Sequence, residues 1–95
     1  MAADLTGALC AAPGQDLAMW FRELEDTVDG RRDTRYARET CLQCPVRAAC
    51  LDRQMAIEGR IGASSRHGVF GGLSGRERWR LYDSHRRAAK ARAAA

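Results

Sequence analysis

Large apolar side chains are scarce in this sequence. Among 95 residues, Leu, Ile, Val and Phe together number 15, whereas Ala alone supplies 17 of the residues behind the 45% apolar fraction. A chain this short with so few core-forming side chains buries a modest share of its surface and usually depends on a staple. That arithmetic excludes a large-core enzyme. Long hydrophobic runs are missing too: no stretch approaches the roughly 18 apolar residues that cross a bilayer. A mean hydropathy of -0.46 with 29% charged residues points to a soluble chain that stays out of the membrane. The segment MAADLTGALCAA has neither a basic leader nor an apolar run of useful length, so no secretory signal is expected and a cytoplasmic location is. Lysine is nearly absent, with Lys90 alone against 15 Arg.

Cysteine is what the chain does have. Cys10, Cys41, Cys44 and Cys50 follow the spacing C-x30-C-x2-C-x5-C. In a reducing compartment persistent disulfides are disfavoured, and ligation of a metal or cluster comes forward. The chain can turn sharply within C-x2-C, so two thiolates reach one centre. A helix opening near Pro45 brings Cys50 towards the same end, where its N-terminal partial charge favours thiolates. Cys10 then closes the site over a thirty-residue loop. Zinc takes four-cysteine sites, commonly built from two close knuckles, whereas here there is one. A [4Fe–4S] cluster is larger and tolerates ligands that stand apart, so the spacing leans towards it. A thiol–disulfide oxidoreductase using Cys41 and Cys44 is a further alternative, without the βαβ pattern such enzymes show. His67 and His85 read as surface residues.

Charge is unevenly spread. Residues 74–95 hold seven of the sixteen basic residues against Glu77 and Asp83 and are net +5, while the other 73 residues sum to -1. Arginine binds phosphate through two parallel hydrogen bonds and keeps its charge, so this end suits nucleic acid. Arg86, Arg87, Lys90 and Arg92 are the candidate phosphate contacts. A solvated basic helix is the plainer alternative.

Periodicity predicts a mainly α fold, a small bundle of about four helices around the four cysteines, with a glycine-rich turn and a basic C-terminal helix. Leu17, Trp20, Phe21 and Leu24 recur at helical spacing after Asp16, a candidate N-cap. Residues 26–35 read as a loop, and a short second helix spans roughly 33–42. A third is expected from about Pro45 to Glu58, with Val46, Ala49, Cys50 and Ile57 on one face and Gly59 at its end. Residues 59–68 read as a flexible loop, and GVFGGLSG (68–75) as a turn. Ser74 and Glu77 form a capping box for the last helix, whose final AAKARAAA is expected to fray. The whole is read as one domain, with residues 1–73 as the body and 74–95 as the basic helix and tail. The glycines lack the G-x4-G-K-[ST] pattern of a phosphate loop, and Glu77 serves as a cap rather than a catalytic base.

Three features in order resemble the WhiB-like (Wbl) family of actinobacterial and actinophage transcription regulators. They are Cys10 followed by the Cys41, Cys44 and Cys50 block, the acidic-then-aromatic segment DLAMWF (16–21), and GVFGG (68–72) leading into LSGRERWRL. The likeness spans residues 10 to about 90. It implies an oxygen- and nitric-oxide-sensitive [4Fe–4S] cluster on the four cysteines and docking on region 4 of the primary sigma factor within RNA polymerase. It also implies a basic helix that reaches promoter DNA, and intramolecular disulfides when the cluster is lost. By position, Trp20, Phe21 and Phe70 would carry the sigma contact, although on periodicity alone Trp20 and Phe21 read as core. The chain departs from the family in having Phe70 where the turn Trp usually stands, a longer loop over 59–67, and no R-G-R-P hook. No catalysis, small-molecule substrate or membrane partner is implied. A zinc-stabilised DNA-binding module is the alternative reading.

Overall fold

Three α-helices and three short 3₁₀ turns make up the regular structure of the described residues. The computed structural model describes residues 5–21 and 28–94. The helices are α1 (Val28–Leu42), α2 (Arg47–Glu58) and α3 (Gly75–Ala94), and the 3₁₀ turns lie at Leu9–Ala11, Leu17–Phe21 and Ala63–Ser65. The helix expected after Asp16 is thus a 3₁₀ turn, which leaves three α-helices where about four were predicted. Asp16 still caps it, accepting the Ala18 N–H at 3.0 Å. Leu24 lies outside the described residues.

The loop expected over 26–35 is also corrected, because residues 28–35 belong to α1. Its buried positions are Gly30, Asp33, Thr34, Ala37 and Cys41. They follow helical spacing, but the stripe is made of small and polar side chains, so a search for apolar periodicity passes over it. Small residues let neighbours approach closely. Trp20 packs there, 3% exposed, with Ala37 fully buried.

The first bond of α2 runs from the Cys50 N–H to the Val46 carbonyl at 2.8 Å, so the helix starts two residues after Pro45. Gly59 ends it as expected, donating to the Met55 carbonyl at 2.9 Å. The buried face is not the expected one: Ile57 is 59% exposed and its neighbour Glu58 is buried. Residues 70–73 form a two-residue hairpin turn, with Phe70 and Leu73 exchanging backbone hydrogen bonds of 3.0 and 3.1 Å. Gly71 and Gly72 sit at φ +59° and +85°, the left-handed pair that a tight turn of this kind requires. The capping box then forms reciprocally: the Ser74 N–H donates to Glu77 Oε1 at 2.9 Å and the Glu77 N–H to Ser74 Oγ at 3.3 Å. α3 continues through Ala94, beyond the expected point of fraying, consistent with the high helix propensity of its Ala-rich end.

The hydrophobic core of the described residues is small: Trp20, Ala37, Cys41 and Val69, with Cys10 and Met19 packed against it. Two of these six are candidate ligands. The core and the thiol site are therefore one place.

Candidate metal centre

Each cysteine reaches the site from a different local setting. The 3₁₀ turn Leu9–Ala11 carries Cys10, the last turn of α1 carries Cys41, the link to α2 carries Cys44, and the first turn of α2 carries Cys50. The link is tight, with the Cys44 N–H donating to the Cys41 carbonyl at 3.1 Å and the Arg47 N–H to the Cys44 carbonyl at 3.2 Å. All four are free thiols, Cys41 buried and the others half-buried. They line one cavity of about 110 Å³ together with Trp20, Phe21, Phe70 and Gly71. Among the described residues, no three His, Cys, Asp or Glu side chains are gathered tightly enough for a single metal ion. The thiols surround a space rather than meeting at a point.

Burial pushes the Cys10 and Cys50 thiols above their ordinary range, and the neighbouring cysteines push them further. The Gly71 N–H hydrogen-bonds Cys50 and, with Arg53, partly offsets this. Four thiolates cannot share this pocket without a cationic guest, and soft sulfur donors select thiophilic metals and iron–sulfur clusters. Trp20 lines the same wall, and its buried indole N–H has no acceptor among the described residues. The donor set and its surroundings fit a thiolate-ligated cluster.

The glycine turn closes the site. A Cβ on Gly71 would lie 2.5 Å from Leu51 Cβ and 3.1 Å from the Arg47 carbonyl oxygen, so the turn rests directly on α2. Arg47 Nε donates to the Gly71 carbonyl at 3.2 Å from the same side. Gly71→Ala is expected to destabilise by about 1–3 kcal/mol through overpacking against backbone that cannot yield, read as a lower melting temperature and weaker retention of the bound metal. Unchanged stability would show that the turn is loosely seated.

A buried ionic cluster fixes the other side of the turn, and the sequence reading missed it. Arg78 is fully buried. Its Nε and Nη2 donate to the two Glu58 carboxylate oxygens at 2.8 and 2.7 Å. Its remaining N–H groups reach the carbonyls of His67, Gly68 and Leu73, each at 2.8 Å. Arg66, also buried, donates to Glu58 at 3.0 Å and to the carbonyls of Ile61 and Gly59 at 2.7 and 2.8 Å. Burial alone would raise the Glu58 carboxyl, but hydrogen bonds from Arg78 and Gln54 and the two guanidinium charges hold it below the usual range. The cluster pins the end of α2, the loop, the turn and α3 together. A signal was present in the lone Glu at the end of α2 and the Arg of R-E-R-W-R, but a charged trio reads as surface until the fold joins it.

The aromatic residues divide. Trp20 is core, edge-on to Tyr36 with ring centres 6.0 Å apart. Phe21 is 52% exposed and Phe70 half-buried, and their rings meet edge-to-face at 5.8 Å on the rim of the cavity. On α3, Arg86, Arg87 and Lys90 lie on one side, whereas Arg92 is turned about 200° from Lys90 at 100° per residue. Asp83 accepts from Arg86 at 2.7 Å and Arg87 at 3.0 Å, and both arginines remain largely exposed. Arg76 and Arg80 are exposed, four residues apart, while Arg78 between them faces inward. No helix among the described residues is long and apolar enough to cross a membrane.

A small helical chain whose four thiols ring a core cavity, closed by a glycine turn and followed by a cationic helix, is a thiol-centred protein by construction. Residues 6–81 match the family described as Transcription factor WhiB, and the chain belongs to that family. It is 46% identical over 48 residues to Transcriptional regulator WhiB of Streptomyces coelicolor, a stretch covering 50% of this chain and 48% of that protein. It is 44% identical over 48 residues to Transcriptional regulator WhiB2 of Mycobacterium tuberculosis, covering 50% and 47%. The matched stretch spans about half the length of these curated relatives. No solved structure gives a significant match to the chain.

Proposed function

We propose that this protein is a transcription regulator whose Cys10, Cys41, Cys44 and Cys50 hold a [4Fe–4S] cluster responsive to oxygen or nitric oxide. One observation carries the reading: four free thiols surround a single cavity in a chain whose core is otherwise almost absent. When bound, the cluster supplies an organising centre that oxidation or nitrosylation can remove. The residues around it do the rest. Gly71 and Arg47 hold the turn against α2, and Arg78 and Glu58 hold the same turn against α3. Phe21 and Phe70 present an aromatic edge on the cavity rim, suited to dock region 4 of the primary sigma factor, with Trp20 as its buried support. Arg86, Arg87 and Lys90, with Arg92 on another side of α3, face promoter DNA. The family and its named relatives support this reading, as does a cytoplasmic location. We assign no catalytic step.

Anaerobic purification with iron and sulfide analysis tests the cluster. A coloured protein with about four iron per chain is expected, and a colourless one with stoichiometric zinc would overturn it. A pull-down with sigma region 4, loaded against stripped, tests the docking. Phe70→Ala should weaken capture while the iron content holds, and equal capture would count against the aromatic edge.

A further inference from the structure

Arg31, Arg35 and Arg38 of α1 line a groove of about 310 Å³ together with Thr34. Residues four and three apart share one side of a helix, separated by about 6 and 4.5 Å of rise. Three guanidiniums therefore run along one edge. Arg31 and Arg35 are exposed, and Arg38 is half-buried. Arg38 Nη2 donates to Glu77 Oε1 at 2.8 Å, and the same carboxylate oxygen accepts the Ser74 N–H that caps α3. Arg38 Nε is buried and has no hydrogen-bond partner among the described residues. Glu77 is shared between two duties, and one carboxylate does not neutralise three cations. It does tie the groove to the first turn of α3, the helix that carries the other cationic side chains.

We propose that this groove is a second phosphate-binding surface, taking the sugar–phosphate backbone of the duplex that α3 contacts. The inference rests on the DNA-binding reading above and extends it to α1. Guanidiniums at this spacing match successive phosphates, each able to take two parallel N–H donors. Such contacts position the protein on the duplex without reading its sequence. They widen the cationic footprint from one helix to two.

The full chain, purified anaerobically with its native centre, is titrated by fluorescence anisotropy against a labelled duplex of about 25 base pairs and mixed sequence, at about 50–300 mM KCl, the range over which phosphate contacts dominate the salt response. Arg31→Gln/Arg35→Gln is compared with Arg32→Gln/Arg60→Gln, which removes the same charge from outside the groove. The groove pair should lower the log–log salt slope by about 1.8, at about 0.9 for each phosphate no longer neutralised, and weaken binding roughly tenfold. The control pair should stay near wild type. Equal slopes in the two pairs, with binding still abolished by Arg86→Gln/Arg87→Gln, would overturn the groove and leave the DNA reading standing. A wild-type chain with no salt-dependent duplex binding would overturn both. If the groove pair keeps duplex binding but no longer captures sigma region 4, the surface takes an acidic protein and the proposal fails.

Discussion

Glu58→Gln is expected to destabilise the protein by about 3–5 kcal/mol, the range for breaking a buried ion pair by removing one partner. Two buried guanidiniums, Arg66 and Arg78, would lose their shared counter-charge while keeping the cost of desolvation. Small domains hold only about 5–15 kcal/mol in total, and this one has few apolar residues in reserve. Thermal or urea unfolding followed by helical circular dichroism measures the loss, and a melting point within a degree or two of wild type would contradict it. The effect should depend on pH. The Glu58 carboxyl sits below its ordinary value of 4.5, so its contribution is fully present above that value and fades as pH falls through the lowered one. The gap between wild type and variant should therefore be wide at neutral pH and narrow in acid. Arg78→Lys keeps the charge but gives up the two-pronged contact and most of the bonds to the turn carbonyls. It should also destabilise, by a smaller amount.

Cys41→Ser should have an effect of similar size by another route. Cys41 is both a core residue and a wall of the thiol cavity. In thiolate sites that organise small domains, metal binding supplies folding free energy of the order of 10 kcal/mol. Removing one of four ligands, or stripping the metal from the wild type, should therefore cost helical signal as well as iron and sulfide. Cys10→Ser separates two parts of the effect. Cys10 lies in the segment that also carries Trp20 and Phe21, while Cys41, Cys44 and Cys50 lie on or between α1 and α2. This variant should loosen the Trp20 environment, read by near-ultraviolet circular dichroism, with more helix retained than in Cys41→Ser. Full metal content in both serine variants would show that the four thiols do not act as one ligand set.

Much of this was legible from spacing. The last helix, its Ser74–Glu77 box and the turn at GVFGG follow from local chemistry, because the groups that satisfy one another are three or four residues apart. The four cysteines stood out as a set by count and spacing. The start of α1 was not legible, since its buried stripe of Gly30, Asp33, Thr34, Ala37 and Cys41 carries little hydropathy signal. The face of α2 was misjudged for a related reason. Ile57 is apolar and exposed, while Glu58 is charged and buried, and only long-range partners make that arrangement favourable.

Composition alone determined that this chain lacks the apolar material for an ordinary core and must be held by its cysteines. It also determined that the positive charge gathers at one end, because both are counts that no packing can change. Tertiary structure decided that the core and the thiol cavity are the same place, that Trp20 is inside while Phe21 is outside, and that Arg78 belongs to the interior. Those outcomes depend on residues 20 or more positions apart meeting, as Arg78 meets Glu58. A buried charge is tolerable only when such a partner is within hydrogen-bonding reach.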